Sequence, residues 1–386
     1  MKKERFNAIQ SMRFFCCLVV MMGHLGFLHL FPVLTKWSTT WVLSLFFLIS
    51  GFMMVYSYLD RDIPCSVTDN LKFSIGKIRK LYPLHVETAC IQFVILFCLF
   101  FLLSGKMVAS SIARFLFRFG VNLALLQSWV PDRKNYIMNF NGPSWFLSVM
   151  LFAYFMFPWI LKLLQKLRTT SKILILTAII VAVNVVSMAI IAVNTNYDGE
   201  IYYWYQGNFP ITQTVLFFEG CVFGYLYHIH KKEQGDARKE YSAALWTVIE
   251  VIVIVFFFAG SVLVKKISNG EILPGLRPVT DCYAFVPMIF CTPLIYIFIV
   301  NRGYITKLCC ARPLMYLGDI SLYIYLIHYI FANLLTVYDA IVGENTMAEK
   351  IIIRLVLAAI TILISAAYNK HQKTKKAKKE AAAGKA

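Results

Sequence analysis

Arg13 and His24 stand eleven residues apart in the stretch R-FFCCLVVMMG-H. Eleven residues are close to three turns of α-helix, so on a helix the two side chains share one face, about 16 Å apart along the axis. A guanidinium holds anions, and an imidazole takes and returns protons near neutral pH. Here they belong to an apolar run, 14–34, where an ionisable group is costly unless it faces a bundle interior or a wet cavity. With His24 at the centre of that run and Arg13 at headgroup level, the pair reads as a candidate proton-transfer centre with a cation near it. Taken alone, His24 is equally well read as a packing histidine bonded to a neighbouring helix.

A second group shifts that balance. Lys77, Arg79 and Lys80 cluster in KIRKLYPL, between two apolar runs. Such a cluster is ordinary positive-inside charge when isolated, but clustered cations also clamp polyphosphate. A clamp with a histidine about 16 Å deeper suits a ligand with a phosphorylated head and a thin arm, the shape of coenzyme A. Other polar groups fall inside apolar runs: Glu219 in FFEGCVF, which could line a cavity, Glu250 in TVIEVIV, and His328 one turn after Tyr325. His85 and Glu87 follow the clamp closely and could orient it or pair with each other. Two loops, 128–145 and 197–209, combine Trp and Tyr with amides, as an interfacial aromatic belt does or as a sugar platform would.

These residues need elements to position them, and composition says which. Of 386 residues 59% are hydrophobic and only 15% charged, against about 45–50% and about 25% in soluble domains. The expected fold is all-α, a polytopic membrane bundle with about ten spans at 14–34, 40–59, 82–104, 144–161, 173–193, 209–228, 241–264, 280–300, 314–337 and 350–369. Residues 1–369 form one membrane domain and 370–386 a basic cytoplasmic tail. With both termini cytoplasmic, inside segments carry 26 Lys and Arg and outside segments 9. The basic N-terminus reads as an uncleaved first helix. Segment 105–143, with Arg114 and Arg118 on one helix face, suits an interfacial helix better than a span.

The net charge of +18 sits mostly between apolar runs and in the tail, facing anionic lipid, so nucleic acid is not an expected partner. The ten cysteines, many inside apolar runs, show neither a disulfide framework nor metal-ligand spacing, and no metal is expected. On these grounds alone, a transporter or flippase and a membrane sensor remain open beside an enzyme.

Five motifs in order give a resemblance. The chain resembles the acyltransferase-3 family of integral membrane O-acyltransferases through R13-x10-H24, SLFFLISGFMM (Ser44–Met54), KIRKLYPL (Lys77–Leu84), the Trp-x-Leu-Ser segment after Asn141 and LGDISLYIYLIHYIF (Leu317–Phe331). The resemblance implies transfer of an acyl group, most often acetyl, from cytoplasmic acyl-CoA to a hydroxyl of a surface glycan or lipid-linked sugar, in a bacterial cytoplasmic membrane. It implies His24 and Arg13 as catalytic residues, with Lys77, Arg79, Lys80, Tyr82 and Ser50 toward the donor. Trp145, Ser148, Glu219, Tyr325 and His328 are the candidates near the acceptor. Whether His24 acts as a general base or carries the acyl group as an acyl-imidazole stays open. Two departures stand out: Lys77 and Lys80 replace the family's Arg-x-x-Arg, and Met150 stands where a glutamate is common. Lysine binds phosphate as a point charge, without the bidentate fork.

Overall fold

A computed structural model describes residues 6–31, 40–99, 109–167, 169–234, 241–282, 285–343 and 346–383. Every regular element among them is helical. The principal helices are α1 (Asn7–His24), α2 (Thr40–Tyr58), α3 (Val67–Ile78), α4 (Tyr82–Phe97), α5 (Ala109–Leu123), α6 (Trp145–Leu167), α7 (Thr170–Asn194), α8 (Gly199–Gly207), α9 (Pro210–Gln234), α10 (Ala243–Ser268), α11 (Val286–Val300), α12 (Tyr304–Cys309), α13 (Arg312–Val342) and α14 (Met347–Ala383). The ten expected spans correspond to α1, α2, α4, α6, α7, α9, α10, α11, α13 and α14. Among the described residues seven stretches, in α2, α6, α7, α9, α10, α13 and α14, are long and apolar enough to cross a membrane. The helices α4 and α11 are apolar but shorter. Positions 32–34, 100–104 and 283–284 of the expected spans lie outside the described residues. So do Lys2, Lys3, Arg5, Lys36, Lys106, Arg168, Arg238, Lys239 and Lys385 of the charge count.

The first helix differs from its expected course. It begins at Asn7 and ends at His24, so His24 is its last residue and not a mid-helix position, while Arg13 lies well inside it. The cause is Gly26, whose φ of 70° is left-handed and suits glycine. The amide of Gly26 bonds to the Gly23 carbonyl at 3.0 Å and that of Phe27 to Met22 at 2.9 Å, the paired bonds of a Schellman stop. An apolar count reads through this stop because Leu25, Phe27 and Leu28 keep the hydropathy high.

Two seams organise the bundle. Along the first, α1 runs parallel to α13: Gln10 lies against Gly318, the Cys17 thiol donates to the Ser321 carbonyl at 3.1 Å, and His24 meets His328. Along the second, α2 runs parallel to α9 with backbones nearly touching. A Cβ on Gly220 would fall 2.2 Å from the Leu48 carbonyl oxygen, and one on Gly51 2.1 Å from that of Phe217. Small residues allow such approach where lipid supplies no hydrophobic drive.

The stretch between the second and third expected spans is more than a connecting loop. Ser66 caps α3 by accepting from the Asp69 amide at 3.2 Å. Buried Asn70, Ser74 and Ile78 form one face of α3, and the Ser74 hydroxyl donates to Leu151 of α6 at 2.5 Å. This packing carries the Lys77–Lys80 end of α3 to the bundle. At 15 residues α5 is too short to span. It packs Phe115 and Phe119 on Phe93 and Phe140.

Candidate active site

The Schellman stop presents His24 to α13. Its Nδ1 lies 2.8 Å from Nε2 of His328, with the rings 6° from parallel. His328 is fully buried, and its Nδ1 lies 3.1 Å from the Ile324 carbonyl. A carbonyl can only accept, so Nδ1 of His328 carries its proton and Nε2 is left with a lone pair. His24 must then donate through Nδ1, which leaves its own Nε2 as the ring's remaining basic nitrogen on an exposed residue. Two histidines 304 positions apart thus form one relay with a defined direction. The edge of Tyr329, 5.5 Å between ring centres, closes one side of His24, and its hydroxyl donates to the Met138 carbonyl of the 128–145 loop at 3.3 Å.

A cavity of about 160 Å³ lies between α1, α2, α3, α6 and α13. Arg13, Lys77 and Lys80 line it with Ser50, Tyr154, Tyr323 and one carboxylate, Asp319. Four of the expected donor-side and catalytic residues therefore share one space, which concentrates positive charge against an apolar wall of Phe46, Phe146 and Leu147. Arg13 is half-buried, and its one hydrogen bond among the described residues is a long 3.5 Å contact with Gln10, which leaves most of its fork for a ligand. The Lys77 ammonium donates to the Tyr58 hydroxyl at 2.6 Å and lies 4.3 Å from that ring's centre. The Ser50 hydroxyl is turned to the Phe46 carbonyl at 2.6 Å. Met150, at the glutamate position of the resemblance, also lines this cavity, and Asp319 faces the same space from α13.

Other expected site residues lie elsewhere. Arg79 ends α3 exposed and does not line the cavity. Tyr82 points to α5, donating to the Leu123 carbonyl at 3.0 Å, because α4 starts at this residue and turns its first face outward from the cavity. Trp145 starts α6 and packs against Phe47 and Phe146. Ser148 donates to the Leu125 carbonyl at 2.6 Å, bracing a residue with left-handed φ. Glu219 is 3% exposed beside the α2–α9 seam, with neither oxygen hydrogen-bonded among the described residues and no place in the cavity lining. Glu250 caps α12, accepting from the amides of Gly303 and Ile305 at 3.0 Å and the Thr306 hydroxyl at 2.5 Å. His85 bonds to the Asn122 carbonyl at 3.1 Å, away from the lysines. The two aromatic loops pack on each other: Trp204 donates to the Ser128 carbonyl at 2.8 Å, and the Arg133 guanidinium to Asn208 at 2.8 Å.

A larger cavity of about 390 Å³ occupies the other side of α1, between Met12, Phe15, Val19 and the helices α10 and α11. Its one hydroxyl, on Ser261, is bonded to the Phe258 carbonyl at 2.9 Å, and apart from the buried thiols of Cys16 and Cys309 its side chains are apolar.

The family model of acyltransferase-3, described as an acyltransferase domain, matches residues 6–370. The chain belongs to the acyltransferase-3 family. The His24–His328 pair and the cationic cavity therefore lie within the part of the chain that matches the acyltransferase domain. The chain is also similar to Acyltransferase MdmB of Streptomyces mycarofaciens, 33% identical over 174 residues. That match spans 42% of this chain and 41% of the relative, well under half of each. No solved structure matches the chain.

Two charged residues were missed in the sequence. Asp319 escaped because it sits at the start of a motif read for its Ser, Tyr and His. Arg354 had a visible signal, a lone arginine in the apolar run IIIRLVL. It is 7% exposed, its Nη2 lies 3.3 Å from Asp339, and its Nε would stand 3.7 Å from a Cβ on Gly26. It thereby ties α14 to α13 beside the turn that presents His24.

Proposed function

We propose that this acyltransferase moves an acyl group, most often acetyl, from cytoplasmic acyl-CoA to a hydroxyl of a surface glycan or lipid-linked sugar. The observation that carries this reading is the His24–His328 relay with its free Nε2 on His24, set on the same helix as Arg13 and the cationic cavity. In the reaction Nε2 of His24 takes the proton of the acceptor hydroxyl as that oxygen attacks the thioester carbonyl. The tetrahedral centre collapses, the carbon–sulfur bond breaks, and the departing thiolate receives the proton back from the imidazolium. No net proton is consumed. His328 stabilises the imidazolium and holds the ring's orientation, as the third member of a triad does.

Lys77, Lys80 and Arg13 hold the donor's phosphates, with Ser50 in the cavity wall; Arg79 and Tyr82 lie outside it and add at most long-range charge. Tyr325 and His328 border the transfer point, whereas Trp145, Ser148 and Glu219 support the surrounding packing. The acceptor enters from the opposite side, past the 128–145 loop, which touches Tyr329 beside His24. Both termini face the cytoplasm of a bacterial inner membrane, and no metal takes part.

The test is donor kinetics on the purified protein. Replacing Lys77 and Lys80 together by Ala raises KM for acetyl-CoA with little change in kcat, because binding energy common to ground and transition states is lost. A collapse of kcat at unchanged KM contradicts the phosphate role.

A further inference from the structure

We propose that the ring of Tyr325 meters the acyl chain reaching His24, passing short acyl groups and refusing longer ones. The proposal rests on the reading that the donor's thioester arm enters through the Arg13–Lys77–Lys80 cavity.

Tyr325 touches both ends of that route. Its ring centre lies 6.2 Å from Phe46 and 5.6 Å from Phe146, both of which line the cavity, and 6.0 Å from His328. The i, i+3 spacing puts Tyr325 and His328 on one face of α13, toward α1. All three rings are closely packed, with Tyr325 3%, Phe46 4% and Phe146 5% exposed. Cys17, one turn beyond Arg13, is bonded to the α13 backbone at Ser321, so α1 and α13 are joined on the flank of the route. An acyl arm moving from the cavity to His24 must therefore displace or skirt this aromatic trio. Dense packing resists each added methylene, because neighbouring rings must leave their rotamers to admit it. A two-carbon group asks for the smallest such displacement. The ring's volume sets the limit; its hydroxyl has no part in it.

The experiment measures kcat/KM of the purified full-length protein for acetyl-, butyryl- and octanoyl-CoA by thiol release, with CoA affinity measured by calorimetry. Wild-type protein should favour acetyl. Tyr325→Ala should raise the butyryl-to-acetyl ratio by about tenfold or more, since each methylene sensed by an apolar pocket is worth roughly 10–200-fold. Tyr325→Phe should keep the wild-type ratio, and neither change should alter CoA affinity. Phe146→Leu, a milder opening of the same wall, should also raise the ratio and serves if Tyr325→Ala does not fold. A wild-type protein that takes octanoyl as fast as acetyl overturns the proposal. So does an unchanged ratio in an opened variant that still turns over acetyl-CoA. Failure of the underlying donor reading has another signature: CoA affinity would be indifferent to loss of Lys77 and Lys80.

Discussion

His24 can act through one ring nitrogen, because the other is committed to His328. This makes a discriminating pair of substitutions. His328→Gln can still accept from Nδ1 of His24 through its amide oxygen, while His328→Ala cannot. The Ala variant should lose about tenfold or more in kcat, the worth of one hydrogen bond near 1.4 kcal/mol. The Gln variant should recover a good part of that loss at unchanged KM. Equal damage in both, measured by acyl-CoA turnover, would mean that His328 matters for packing and not for the direction of the relay. At this scale the sequence was legible in residue types but not in their meeting. Spacing along α1 put Arg13 and His24 on one face, and nothing local joins position 24 to position 328. Arg79 and Tyr82 show the opposite error: they neighbour Lys77 and Lys80 in sequence, but the break between α3 and α4 turns them away.

Helix ends decide where the chemistry is presented. The stop at Gly26 makes His24 a terminal residue, free to lean toward α13, and the Arg354 side chain of α14 lies beside that turn. Gly26→Ala places a Cβ at left-handed φ, which costs about 1–2 kcal/mol. It should lower the melting temperature measurably in detergent and lower kcat further than the stability loss explains, because His24 moves with the turn. Unchanged turnover in a destabilised Gly26→Ala protein would show that the turn serves folding alone. The signal for this stop was present as Gly23 and Gly26 within a hydrophobic run, but a hydropathy count weighs side chains and ignores φ. Glu250 illustrates the same gap: acid within an apolar run suggests a functional site, whereas its carboxylate caps the N-terminus of α12, a backbone need invisible to composition.

For the whole molecule, each of the ten apolar runs carries a helix among the described residues, since hydrogen-bond satisfaction in lipid leaves a chain of this composition few alternatives. The parallel course of α1 with α13 and of α2 with α9 agrees with the alternation behind the topology. Labelling of single cysteines introduced at Lys231 and Tyr203 should therefore report opposite sides of the membrane, cytoplasmic and external respectively; labelling from one side would remove that topology. The central claim is that Nε2 of His24 is the base of acyl transfer, and the most direct measurement is transfer from acetyl-CoA by His24→Gln protein in membranes, alongside its affinity for CoA. Glutamine keeps a hydrogen-bonding side chain but cannot take the proton. The account predicts a fall in turnover on the order of 10²–10⁴, the usual contribution of a general base, with CoA binding intact. Near-normal transfer by His24→Gln protein would contradict it.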